Sequence, residues 1–175
     1  MATQKSNDYL KECIADAIIA LVKDKPIEKI TVDEIIKKAG VGRATYFRSF
    51  KGKYEPITFK FIKMWEQYCE LNDIKVRDRF DLSNALPFFE YNYSIKHILE
   101  IVYQAGLQEA VHESFYQIMT PPLNEYDNSD YFRESFYLHG LYGLLNAWVN
   151  CGFNESPEIM AETLNKIVTT PYKII

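Results

Sequence analysis

Along the first fifty residues, apolar side chains recur three and four positions apart. Leu10, Cys13, Ile14, Ala17, Ile18, Leu21 and Val22 form one stripe, which predicts a helix from about Asp8 to Lys23. Asp24-Lys25-Pro26 ends it, because an interior proline removes a backbone donor and crowds the preceding turn. Thr31-Val32-Asp33-Glu34 reads as a capping box. In such a box the Thr31 hydroxyl accepts from the Glu34 amide while the Glu34 carboxylate reaches back to the cap. Two acidic residues in this first turn also suit the positive end of a helix. A short helix follows, with Val32, Ile35, Ile36 and Ala39 on its inner face. Gly40 closes it, since glycine takes left-handed backbone at little cost. After Val41-Gly42 a second short helix runs from Arg43 to about Phe50, and beyond Lys51-Gly52 a long one runs from about Lys53 to Leu71.

The helical rhythm persists to the end of the chain. Helices are predicted at about Ser83–Tyr91, Ser94–Ala105, Leu107–Met119, Tyr131–Cys151 and Pro157–Thr169. Ser156-Pro157-Glu158 supplies an N-cap, a first-turn proline and an acidic first turn. Lys75–Asp81 and Thr120–Asp130 read as connectors, and no alternating strand pattern competes. The predicted fold class is therefore all-α with about nine helices. An N-terminal three-helix domain, residues 1–54, carries a helix-turn-helix, and residues 55–175 form a C-terminal helical bundle.

Composition narrows the class. Of 175 residues, 47% are hydrophobic and 15% aromatic, enough for a substantial core. No run of about 18 apolar residues occurs, so no membrane span is expected. Met1–Asn7 is polar and lacks the apolar stretch of a secretory signal, so a cytoplasmic location is expected. Cys13, Cys69 and Cys151 are odd in number and far apart, which favours free thiols over disulfides or zinc. His97, His112 and His139 have no partner at ligand spacing, so neither a metal nor a cofactor is expected. The chain has no GxSxG, Walker loop, GxGxxG or HExxH motif, and no catalytic residue is assigned.

Charge changes the picture more. The net charge of −4 conceals +3 over residues 1–55 and −7 over residues 56–175. A basic front end on an acidic remainder suits a head that meets a polyanion. Two short helices joined by a glycine-containing turn have helix-turn-helix geometry, and the second is short enough to enter a DNA major groove. Arg43, at its start, can bond guanine O6 and N7 together. Ala44 and Thr45 can touch thymine methyls or phosphate, while Arg48, Ser49 and Lys53 can hold phosphates and fix register. A capped helix, a glycine turn and a short helix also occur in bundles that never meet DNA, so geometry alone leaves both readings open.

The stretch Ile30–Ile57, ITVDEIIKKAGVGRATYFRSFKGKYEPI, resembles the helix-turn-helix of the TetR/AcrR transcription regulators. Thr31, Ile35, Ala39-Gly40-Val41, Thr45, Phe50 and Lys53 carry the likeness, which spans about the first 55–60 residues. The resemblance implies base contact from Arg43 and Ala44. It implies phosphate or groove contact from Thr45, Phe47, Arg48 and Ser49, and phosphate contact from Thr31 and Lys53. The family usually has an aliphatic residue or Phe before its Tyr, whereas here the order is Tyr46-Phe47. Either Phe47 forgoes the phosphate bond a tyrosine makes, or the helix is rotated and Tyr46 supplies it. Ser49 is shorter than the usual His or Tyr, and Pro56 stands where Leu is common.

The rest of the chain resembles the family in outline. The last two helices of many members form a four-helix dimer interface, which makes Leu141, Leu144, Leu145, Trp148, Leu164, Ile167 and Val168 candidate interface residues. Intrachain core is the competing role for each. Gly140 and Gly143 would permit close approach. A homodimer also follows from the reach of one short helix: two copies double the contacts and require a palindromic double-stranded operator. Family bodies usually enclose an effector. Trp65, Tyr68, Phe89, Tyr93, Tyr103, Phe115, Tyr116, Phe136 and Tyr137 are the candidate lining, with Phe88 beside them. Such rings suit a small hydrophobic molecule or, with Glu66, Glu100, Glu109 and Glu113 nearby in sequence, a cation; the competing role is core filling. The expected function is a repressor released by that effector. The alternative is a regulator controlled by a protein partner, or an activator, with no small-molecule pocket.

Overall fold

A computed structural model describes residues 2–74, 85–119 and 128–170, with side chains described for residues 7–74, 85–119 and 131–170. Nine α-helices and one 3-10 turn make up the described chain, which contains no strand. In order these are α1 (Ala2–Leu21), the 3-10 turn (Ile27–Lys29), α2 (Val32–Ala39), α3 (Arg43–Ser49) and α4 (Glu55–Leu71). They continue with α5 (Leu86–Ser94), α6 (Lys96–Gln104), α7 (Gln108–Met119), α8 (Asn128–Asn150) and α9 (Pro157–Thr169). The expected connector at 75–81, the expected helix start at Ser83, and residues 120–127 of the second connector lie outside the described residues.

The helix ends follow the local chemistry. Thr31 Oγ1 accepts from the Glu34 amide at 3.3 Å, and the Thr31 amide donates to Glu34 Oε2 at 2.9 Å, which completes the capping box. Gly40 ends α2 at φ +66°, and the next amide, of Val41, reaches back to the Ile36 carbonyl at 3.1 Å. Ser156 caps α9 by accepting from the Ile159 amide, with Pro157 in the first turn. α1 begins six residues earlier than its apolar stripe predicts.

Contacts gather the chain into two compact units. The first comprises Met1–Met64 and Ile101–Ile118; the second comprises Trp65–Glu100 and Met119–Ile175. This grouping differs from a division at residue 54, because the first half of α4 and most of α7 pack with the N-terminal helices. In the first unit Ile14, Ile18, Ile27, Ile30, Ile35, Tyr46, Ile57 and Val111 are buried. Lys60 ties α4 to α1, with Nζ 3.2 Å from carboxylate oxygens of both Glu12 and Asp16. Thr58, also buried, donates from Oγ1 to the Ala110 carbonyl at 3.1 Å and so fixes α4 to α7.

The core of the second unit is largely aromatic. Trp65 stacks on Tyr68 at 5.9 Å and meets Tyr91 edge-on at 5.0 Å. Phe89 meets Trp148 at 5.7 Å, and Trp148 meets Phe153 at 4.8 Å. Edge-to-face pairs at these separations are the favoured geometry of ring quadrupoles. Trp148 also donates its indole N–H to the Glu155 carbonyl at 3.1 Å, closing the α8–α9 corner.

Candidate nucleic-acid interface

α3 is only seven residues long, and its two faces differ sharply. Arg43, Ala44, Phe47 and Arg48 are exposed; Thr45 and Ser49 are half-buried; Tyr46 and Phe50 are buried. Residues four apart share a helix face, so Phe50, buried at the C-cap, draws Tyr46 inward with it. Tyr46 is 1% exposed and Phe47 is 55% exposed, which settles the rotation of the helix. Tyr46 is therefore a core residue and is corrected out of the candidate DNA contacts. Its hydroxyl is buried without a partner among the described residues, and burial, reinforced by the Glu55 carboxylate, raises its pKa.

Three further candidates are differently employed. Lys53 directs Nζ at the 3-10 turn, donating to the carbonyls of Ile27 at 2.7 Å and Ile30 at 3.0 Å. Its ammonium thus stitches the α1–α2 connection to the start of α4, which corrects the expectation that it is free for a phosphate. The Ser49 hydroxyl is turned inward and buried, away from the face that carries Arg43 and Phe47. The Thr31 hydroxyl is occupied on both sides by Glu34, accepting from its amide and donating to Oε2 at 2.9 Å. Glu34 in turn pairs with Lys25. That ammonium, with the Thr31 amide and hydroxyl, holds the Glu34 carboxyl at about 2, well below its ordinary 4.5.

The outward face is left with Arg43, Ala44, Phe47 and Arg48, flanked by Thr45. Arg43 is already engaged: its guanidinium pairs with Asp33 on α2 and lies 5.6 Å from the centre of the Phe47 ring. An exposed pair of this kind contributes roughly 0–1 kcal/mol. Exchange of Asp33 for another partner of the guanidinium therefore costs little. Sequence reasoning missed Asp33, because a contact between two helices ten residues apart leaves no periodic signal.

The remaining candidates divide between the units. Trp65, Tyr68, Phe89, Tyr93, Phe136 and Tyr137 belong to the second unit, and Tyr103, Phe115 and Tyr116 to the first. Trp65, Tyr68 and Phe89 pack on other rings as core, whereas Phe136 is 74% exposed. Among the candidate interface residues, Leu141, Leu145, Trp148 and Leu164 are buried within the chain itself. That burial corrects their assignment, because their apolar surface is already removed from water. Leu144 is half-buried, while Ile167 and Val168 are exposed. No described helix is long and apolar enough to cross a membrane.

Comparison with known proteins agrees with this geometry. The family model described as bacterial regulatory proteins, tetR family, matches residues 14–55, the segment that holds the capping box, the Gly40 corner and α3. A second model, described as a transcriptional regulator C-terminal region, matches residues 83–170, half of the chain. A search of curated proteins returns no match. With the two-helix reading head at its N-terminus and a regulator C-terminal region behind it, the chain belongs to the TetR family of DNA-binding transcriptional regulators.

Proposed function

We propose that the protein is a repressor that binds a palindromic operator as a homodimer and is released by a small-molecule effector. Arg43 and Ala44 read base edges, with Thr45, Phe47 and Arg48 on the groove walls and phosphates. The observation that carries this reading is the outward face of α3, where the arginines and Phe47 stand exposed while Tyr46 and Phe50 anchor the helix from behind. A reading helix fixed to a rigid scaffold loses little freedom on binding. Two such helices meet successive major grooves about 34–36 Å apart, so an effector that favours another spacing lowers operator affinity.

For the dimer, Leu144, Ile167 and Val168 with the neighbouring exposed Ile159 offer apolar surface on α8 and α9 that the chain leaves uncovered. The test is selection of duplexes from a random pool, followed by sedimentation of the protein with and without the winner. The expected result is an inverted repeat bound by two chains. A single unrepeated half-site bound by one chain contradicts the proposal.

One observation favours the second reading, a regulator without a pocket in its C-terminal region. Trp65, Tyr68, Phe88 and Tyr91 pack against one another and are engaged as core.

A further inference from the structure

The first unit contains a groove of about 860 Å³, within the size range of small-molecule sites. Its walls are the end of α3 at Ser49 and Phe50, the first turns of α4 at Tyr54, Glu55, Thr58, Phe59 and Ile62, and one face of α7. On α7 the lining residues Glu109, Ala110, Glu113 and Gln117 lie on one face, and Gly106 lines the turn before it. Lys11 of α1 completes the wall.

The chemistry of the lining is one-sided. The lining holds three carboxylates, of Glu55, Glu109 and Glu113, and one ammonium, that of Lys11; Glu55 accepts from the Lys51 amide, Glu113 accepts from the Gln117 side-chain amide, and Glu109 lies 3.6 Å from His112 Nδ1. Phe50, Tyr54, Phe59 and Ile62 supply apolar surface. Phe59 is already used as a cation platform, with Lys11 Nζ 5.0 Å from the ring centre. The Ser49 hydroxyl oxygen is shielded from solvent and has no hydrogen-bond partner among the described residues.

We propose that this groove binds an organic cation, an aromatic or aliphatic body carrying one amine, and that the ligand acts directly on the reading helix. The body lies against Phe50, Tyr54 and Phe59. The ammonium is held between Glu113 and Glu109, which sit one turn apart on α7, and within reach of the acidic start of α4 at Glu55. Ser49 and Phe50 are the last residue and the C-cap of α3. Occupancy therefore bears on the seating of α3 without a relay through the second unit. The regulatory half of this proposal rests on the DNA-reading proposal above; the binding half does not.

The test uses the full chain and dansylcadaverine, a fluorescent primary amine, with neutral dansylamide as control. A saturable rise in fluorescence is expected for dansylcadaverine, with at least tenfold weaker binding of dansylamide. Glu109→Gln/Glu113→Gln should weaken dansylcadaverine at least tenfold with an unchanged helical circular dichroism spectrum. Saturating dansylcadaverine should also change affinity for a selected duplex at least threefold in the wild type and not in the double variant. Absence of saturable binding, equal binding of the two dansyl compounds, or an unaffected double variant overturns the site. Binding that leaves DNA affinity unchanged overturns its action on α3. A chain that binds the amine but no duplex contradicts the DNA-reading proposal instead.

Discussion

In the reading head, polar side chains do the organising. Thr31 and Glu34 cap one another, Lys25 holds Glu34, Lys53 gathers the carbonyls of the 3-10 turn, and Asp33 holds Arg43. In the second unit, order comes from rings on rings: Phe89, Trp148, Phe153 and Tyr91 find their places by packing against aromatic neighbours. The first arrangement is built from directional bonds of modest strength, which fix orientation and leave a few side chains exposed. The second is built from burial, which is strong but has little preference for direction. A surface that must present particular atoms to DNA needs the first kind; a supporting core needs only the second.

Substitutions in the two regions should therefore differ in size and in kind. Phe89→Ala, in the aromatic core, should cost about 3–5 kcal/mol of unfolding free energy in urea. A loss below about 1 kcal/mol would mean that the rings are not the source of stability there. Lys53→Met keeps the stem and removes the donors. It should cost roughly 2 kcal/mol of stability while leaving the salt dependence of DNA binding unchanged. A salt slope lower by about one ion, with stability intact, would return Lys53 to the phosphate contacts.

Asp33→Asn should act chiefly on binding. Arg43 then no longer has to leave a partner, so affinity should rise by about twofold to fivefold on the selected duplex and by no more than that on random duplex. Unchanged affinity for both would show that the Asp33 pair does not compete with DNA. The smallest effect expected is that of Glu34→Gln on the acid limb. A carboxyl held near 2 in the folded chain, against an ordinary 4.5, contributes stability that is present above 4.5 and lost as pH falls toward 2. The melting temperature of the variant should fall less steeply than that of the wild type across that window, and identical slopes would remove Glu34 from the account.

The same contrast explains what the sequence discloses. The capping box, the Gly40 corner and the Ser156 cap are local events within a few residues, and each is found where the residues predict. The inward turn of Tyr46 was not legible: the order Tyr46-Phe47 left two rotations of α3 open, and the burial of Phe50 four positions on decides between them. Partners far apart in sequence leave no such mark. The Arg43–Asp33 pair, the hold of Lys53 on Ile27 and the bond from Thr58 to Ala110 all depend on how helices cross. The aromatic residues illustrate the limit. Their types announce a core or a pocket equally well, and only ring-to-ring contact assigns Trp65 and Phe89 to the core. Likewise Leu141 and Leu164 carry apolar surface that suits a partner chain or their own, and their burial within the chain decides it.

The central claim is that the outward face of α3 reads base edges through Arg43. It is tested most directly by the affinity of wild type and Arg43→Ala for a selected duplex and for a scrambled duplex of equal length, at one salt concentration. Arg43→Ala should lose about 1–3 kcal/mol on the selected duplex and much less on the scrambled one. Equal losses on both duplexes would make Arg43 a backbone contact and contradict it.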